Sequence, residues 1–287
     1  METIKLELNK IYLGDAYELI KNVPTGSVDL IVTDPPYEIV AGGSGGCFGV
    51  EHRDYHQEYK TLGVSEHKRE GLDEGKGSDP RNCVCVGFDY SLLDELDRIM
   101  KKINIYIWCN KNQISSLMKH YEDKGCNVDL LVWHKTNPIP TCNNKYLSDL
   151  EYCVFARESG VGLGGTYETK TKLFETSCNK ADKDDYNHPT IKPLTIIETL
   201  VSNSTFSKDA VVFDPFSGSG TTCVAAKNLG LNYLGFEIDP EYHKIACDRL
   251  SGWNQHGEMD LFTSSSSSSS PEWEQISLFG EDNQEEK

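Results

Sequence analysis

Seven short apolar runs, bounded by Gly, Pro, Asn or Asp, constrain the fold most: KIYLG, VDLIVTD, INIYIWC, VDLLVWHK, EYCVFAR, AVVFDP and NYLGFEID. They are rich in β-branched and aromatic residues and read as buried strands. Between several of them lie helically spaced stretches: YSLLDELDRIMKK, NQISSLMKHYEDKG, TIIETLVSN, TTCVAAKNLG and PEYHKIACDRL. The last opens with Pro240, a residue favoured at the first helical position, and the fourth stops at Gly230. Strands that alternate with helices form a mostly parallel sheet covered on both faces. The expected fold is therefore α/β, a doubly wound, mostly parallel Rossmann-like sheet over residues 1–250.

Two stretches interrupt the alternation. Residues 41–82 open with AGGSGG and continue polar and charged, far longer than an ordinary connector, and a loop of that size reads as a mobile loop, either a functional lid or a disordered segment. Residues 141–187 are polar, glycine-bearing and weakly patterned, and are expected to form a small elaboration outside the sheet. Residues 251–287 hold seven consecutive serines and acidic flanks, which cannot pack a core and read as a flexible tail. That tail carries two apolar knots, Leu261-Phe262 and Leu278-Phe279.

Composition narrows the function. The 287 residues are 38% apolar, enough for one sizeable core. The net charge of −17 argues against a generic nucleic-acid binder. Eight of the acids, however, lie from Ser251 onward against a single lysine, so a local basic groove is compatible with the rest. The ten cysteines are scattered, and Cys83 and Cys85 have no second pair at zinc-site spacing. Reduced thiols and no metal are expected. METIKLELNK lacks the apolar stretch of a signal sequence, and no run approaches the roughly 20 apolar residues of a membrane span. A soluble cytoplasmic protein without a membrane partner is expected.

Two segments carry chemistry. The first is TDPPY, residues 33–37, directly after the apolar run VDLIV. Two prolines end a strand and fix the backbone direction, which makes either a stiff turn or a rigid cradle. The second is VVFDPFSGSGTT, residues 211–222: a strand ending at Asp214, a glycine turn and a helix start. Glycines let the backbone approach a ligand, and a helix start offers free N–H groups. Nineteen residues after Gly218, Glu237 ends the next strand, where an acid accepts the hydroxyls of a ribose. Cys223 stands where the dinucleotide fingerprint needs Gly or Ala, and no phosphate-gripping G-x-x-x-x-G-K is present. A cofactor with a ribose but no pyrophosphate fits best.

TDPPY, HPTIKPLTIIETLV, FDPFSGSGTT and GFEIDPEYHKIA, in that order, resemble the amino-group DNA methyltransferases that use S-adenosylmethionine, in the permuted class where the catalytic motif precedes the cofactor loop. The resemblance covers roughly residues 8–250. It implies methyl transfer to the exocyclic N6 of adenine in double-stranded DNA, after base flipping. It gives catalytic roles to Asp34, Pro35, Pro36 and Tyr37: the Asp34 carboxylate and Pro35 carbonyl accept the amine's N–H groups, and Tyr37 stacks on the base. It places the cofactor at Asp15, Asp34, Thr190, Lys192, Asp214, Pro215, Phe216, Ser217, Gly218, Ser219, Gly220, Thr221 and Glu237, with Thr190 and Lys192 near its carboxylate. Asp15 has a second reading as a strand-end turn residue. Trp108 and Trp133 read as core aromatics.

The same resemblance makes residues 141–187 the target-recognition region, with Asn143, Asn144, Lys145, Lys170, Lys172 and Lys180 as contacts. Arg53, His56, Lys60, Lys68 and Arg69 of the long loop offer phosphate contacts, against a plain reading as a solvated loop. QISLF resembles the peptide by which bacterial DNA enzymes dock on the replication sliding clamp, through Gln275, Leu278 and Phe279. Cytosine N4 is the first alternative target, in relatives that more often carry Ser where Asp34 stands. An RNA or protein-amide substrate and a non-catalytic binding module come after it. A bacterial or phage origin and a restriction-modification setting are expected.

Overall fold

The computed structural model describes residues 6–37, 88–138, 146–178 and 191–252. Eight strands form one sheet: β1 (Lys10–Leu13), β2 (Leu30–Thr33), β3 (Asn104–Cys109), β4 (Asn127–Lys135), β5 (Leu150–Arg157), β6 (Leu173–Thr176), β7 (Val211–Asp214) and β8 (Asn232–Glu237). Their order is β1-β8-β7-β2-β3-β5-β4-β6. All neighbours pair in parallel except β5, which runs antiparallel to both β3 and β4. The seven strands read from the apolar runs are all present.

The eighth strand corrects one expectation. The described part of 141–187, residues 146–178, is not wholly outside the sheet, because β5 and β6 both lie within it and β6 pairs with β4 from Val132↔Leu173 to Lys135↔Thr176. The pattern of LFET hides it: only Phe174 is buried, since β6 is an edge strand of four residues.

The helices cover both faces. α1 (Ala16–Leu19), α2 (Ser91–Ile99) and α3 (Ile114–Asp123) precede α4 (Leu194–Ser204), α5 (Thr221–Asn228) and α6 (Pro240–Leu250). Strand side chains alternate between faces, and the core divides accordingly. Ile31, Ile105 and Ile107 meet Leu92, Leu93, Leu96, Ile99, Leu117 and Tyr121 of α2 and α3. Leu30, Val32, Tyr106 and Trp108 meet Ile196, Ile197, Leu200 and Val201 of α4 on the other side. β2, β3 and β7 are buried along their whole length, as central parallel strands must be. Trp108 and Trp133 are core aromatics, packed edge to face at 6.5 Å.

From β2 the chain adds β3 on one side, and from β7 it adds β8 on the other, so strand order reverses between the parallel neighbours β2 and β7. In doubly wound sheets the crevice at such a reversal, at the carboxyl ends of the strands, takes the ligand. No helix among the described residues is long and apolar enough to cross a membrane.

Candidate active site

The two chemical motifs meet at this reversal. Thr33, the last residue of β2, donates its hydroxyl proton to Asp214 Oδ1 of β7 at 2.8 Å, joining residues 181 positions apart. Asp214 Oδ1 also accepts from the Phe216 N–H at 3.1 Å, which folds the chain into the glycine turn. Burial raises the Asp214 carboxyl from 3.8 to about 7, against the opposing pull of these hydrogen bonds. Pro215 is buried behind it and Phe216 is half-buried, 6.4 Å from Phe88.

The turn is tied down on every side. Ser217 donates its N–H to Phe236 O at 2.8 Å and its hydroxyl to Asp214 O at 3.0 Å. Gly220, at φ 79, caps α5 in a left-handed conformation and lies so close to α6 that an added Cβ would stand 3.0 Å from the Ala246 Cβ. Arg249 of α6 reaches under the turn to Thr221 Oγ1 at 2.8 Å and to the Ser219 carbonyl at 3.4 Å.

Glu237 sits where the ribose acid was expected, at the end of β8, but the structure gives it a second task. Its Oε2 accepts from the Gly218 N–H at 2.7 Å and its Oε1 from the Asp239 N–H at 2.8 Å. Each oxygen keeps one further lone pair for a hydroxyl donor. The Gly14 N–H bonds the Glu237 carbonyl at 2.8 Å, which brings the turn after β1 alongside. Asp15 in that turn is the N-cap of α1, accepting from the Tyr17 N–H at 2.9 Å. Asp15 thus caps the helix that follows β1, one residue from the Gly14 contact with Glu237.

The Asp34 side holds a buried ion network. By alternation Asp34 continues the face of Val32, Trp108 that of Tyr106, Lys135 that of Trp133, and Glu151 that of Cys153. All four therefore gather on one face at the carboxyl edge. Lys192, just before α4, enters from above. Its ammonium pairs with Asp34 Oδ2, lies 3.1 Å from Glu151 Oε2, and donates to the Tyr37 hydroxyl oxygen at 3.3 Å. It also lies 5.3 Å from the Trp108 ring centre. Glu151 pairs on its other side with Lys135. Burial raises the Asp34 carboxyl, with the Lys192 charge opposing it. Lys192 and Lys135 together hold Glu151 at about 2, against its own burial.

Asp34 Oδ1 is buried and has no hydrogen-bond partner among the described residues. A buried carboxylate oxygen without a donor is costly unless a ligand satisfies it. Pro35 beside it is buried, while Pro36 is exposed.

The structure thus brings Asp34, Pro35, Pro36, Tyr37 and Lys192 together on one side of the crevice, with Asp214, Pro215, Phe216, Ser217, Gly218, Ser219, Gly220, Thr221 and Glu237 on the other. Lys192 is engaged by carboxylates rather than free for an anionic ligand. Glu151 was not singled out from the sequence; the signal was an acid inside a strand read as buried, which requires a cation. Of the recognition candidates, Lys172 pairs with Asp129 of β4. Lys170 lies in a segment packed on the end of α4, where the Gly164 N–H bonds the Asn203 carbonyl at 2.7 Å, toward the amino edge of the sheet and away from Asp34. Thr190, Asn143, Asn144, Lys145, Lys180, the 41–82 loop and the clamp motif lie outside the described residues.

The N6/N4 methyltransferase family model, described as DNA methylase, matches residues 28–248. A type II methyltransferase of Lactococcus lactis subsp. cremoris, M2.LlaDCHI, is 27% identical over 260 residues, spanning 85% of this chain and 90% of the relative. Among solved structures, the M1.HpyAVI–SAM complex superposes with a TM-score of 0.57 at 25% identity, covering 84% of this chain and 98% of the other. The cytosine-N4-specific PvuII DNA methyltransferase shares the fold at a TM-score of 0.58 and 16% identity, covering 83% of this chain and 85% of the other.

Proposed function

This chain belongs to the N6/N4 DNA methylase family, and from that premise we propose that it methylates the exocyclic N6 of adenine in double-stranded DNA, with Asp34 as the group that engages the amine. S-adenosylmethionine is the methyl donor; when bound it supplies a methyl group on a cationic sulfur, which departs as a neutral thioether with the electron pair of the broken bond. The glycine turn suits this cofactor, since Gly218, only partly buried, carries no side chain to block an approach and Glu237 keeps lone pairs for the ribose hydroxyls. The observation that carries the reading is the unsatisfied, buried Asp34 Oδ1 beside that turn.

The amine of adenine is a weak nucleophile because its lone pair is delocalised into the ring. Asp34 Oδ1 and the Pro35 carbonyl accept its two N–H groups and favour a pyramidal nitrogen with the lone pair turned outward. Preorganised acceptors of this kind require no rearrangement during reaction. The prolines supply that rigidity. The nitrogen lone pair forms the new N–C bond, the nitrogen becomes cationic beside the Asp34 carboxylate, and one proton then leaves to that carboxylate or to water. A positioned acid–base group contributes about 10²–10⁴ in rate. Tyr37 stacks on a base turned out of the duplex, which costs a few kcal/mol of unstacking.

Adenine over cytosine rests on Asp34, since the fold is shared with a cytosine-N4-specific enzyme. The setting that suits this activity is the cytoplasm of a bacterial host, within a restriction-modification system. Docking to a replication sliding clamp through Gln275, Leu278 and Phe279 rests on the QISLF sequence alone. The test is transfer of labelled methyl from S-adenosylmethionine to unmethylated duplex DNA, RNA and protein. The reading expects label in DNA only, with a loss of at least about 10²-fold in Asp34→Ala. Absence of label in DNA, or an active Asp34→Ala variant, refutes it.

A further inference from the structure

We propose that Lys192 and Glu151 are positioning residues for Asp34: the Lys192 ammonium occupies Oδ2, so that Oδ1 is the one oxygen presented to the substrate amine, and Glu151 fixes Lys192 in that place. The inference rests on the proposed role of Asp34.

The geometry is specific. The Lys192 side chain is 7% exposed, against 25% for Asp34 and 20% for Glu151. A lysine so deeply buried stays charged only with counter-charges in contact, and it has two. Its ammonium lies 5.3 and 5.6 Å from the ring centres of Trp108 and Tyr37, which limits where the charge can swing. Lys135 balances Glu151 from the far side, so Lys135, Glu151, Lys192 and Asp34 alternate in sign and sum to zero. A carboxylate with one oxygen clamped by a cation and the other bare has its acceptor direction set before substrate arrives. Such preorganisation is what an acceptor must have to act on a weak nucleophile.

Charge order also fixes how each partner acts on Asp34 titration. Among the described residues, the charged or titratable groups facing Asp34 are Lys192, Glu151 and Cys153 of β5, Tyr37, Asp214 of β7 and Cys109 of β3. Lys135 of β4 stands behind Glu151. Lys192 favours the ionised form of Asp34, and Glu151 opposes it. Removing Lys192 therefore moves the Asp34 titration to higher pH. Removing Glu151 leaves Lys192 to Asp34 alone and moves it to lower pH. Loose packing would not produce opposite signs.

The direct experiment is ¹³C NMR titration of the Asp34 carboxyl carbon in wild type, Lys192→Met, Lys192→Arg and Glu151→Gln. It is run beside single-turnover methyl transfer to DNA and calorimetric binding of S-adenosylmethionine. The expected result is an upward shift of about one to three pH units in Lys192→Met, a downward shift in Glu151→Gln, and recovery toward wild type in Lys192→Arg. The acid limb of the transfer rate follows the same shifts, and cofactor affinity is unchanged. Loss of cofactor affinity in Lys192→Met with an unmoved Asp34 titration would overturn the proposal, as would equal titrations in all four proteins. Should Lys192→Met not fold, Glu151→Gln decides alone, and an unmoved or raised titration overturns it. The NMR readout does not need turnover, so a wild type that fails to methylate DNA counts against the proposed function and not against this pairing.

Discussion

Replacing Asp214 by Asn should make the protein more stable at neutral pH and nearly remove one component of its pH dependence. Asp214 is 4% exposed, and its carboxyl titrates at about 7 in the fold against 3.8 in the free chain. Between those values the folded state holds a proton that the unfolded state has released. Stability therefore falls as pH rises, by about 1.4 kcal/mol per pH unit. The contribution is fully present below 3.8 and lost above about 7. Over the whole interval it amounts to about 4 kcal/mol, an upper figure because unfolded chains retain structure. Asparagine keeps the carbonyl oxygen that accepts from Thr33 and Phe216, so it imitates the protonated acid at every pH. Urea unfolding of both proteins from mildly acidic to mildly alkaline pH measures this. The two should be close in stability under acid conditions and diverge as pH rises, with Asp214→Asn the more stable. Asp34 and Glu237, also raised by burial, leave a residual slope common to both proteins. Parallel stability curves for wild type and variant would refute the reasoning.

Three further outcomes follow from contacts around the glycine turn and from the tail. An added Cβ at Gly235 would lie 2.4 Å from Ser217 Oγ and 2.9 Å from Cys223 Sγ. Gly235→Ala should therefore cost about 1–3 kcal/mol in urea unfolding, and an unchanged midpoint would contradict the packing. Glu237→Gln turns an amide donor toward one of the two backbone N–H groups it now satisfies, costing about 1–3 kcal/mol. Calorimetry should show S-adenosylmethionine binding weakened by about tenfold or more, and wild-type affinity would exclude the dual role. Removing residues 271–287 should abolish binding to a bacterial sliding clamp in a surface-plasmon assay while leaving methyl transfer intact; retained clamp binding would remove QISLF as the docking element.

The parallel core and the reversal between β2 and β7 were legible because central strands are apolar on both faces and end in residues with a local signature. TDPPY and FDPFSGSGTT mark the carboxyl ends of two strands, and doubly wound topology brings those ends together. β6 was not legible, because a four-residue edge strand with Leu173 and Glu175 exposed has no apolar pattern to read. The ion pairs of Lys192 were not legible for a related reason: its partners lie 158 and 41 positions away, and motif order carries no information about which carboxylates a long side chain meets. Glu151 left a faint trace, as an acid two positions before Cys153 in a strand otherwise read as buried. Only the register of β5 with β4 and β3, and of β3 with β2, shows that this face is shared by Lys135, Trp108 and Asp34.

In the proposed function, adenine N6 held at the Asp34 cradle receives its methyl group from S-adenosylmethionine. Nucleoside mass spectrometry of duplex DNA treated with the full-length protein and S-adenosylmethionine tests it most directly. The account predicts N6-methyladenine with wild type and none with Asp34→Ala; N4-methylcytosine as the product, or N6-methyladenine formed by Asp34→Ala, would contradict it.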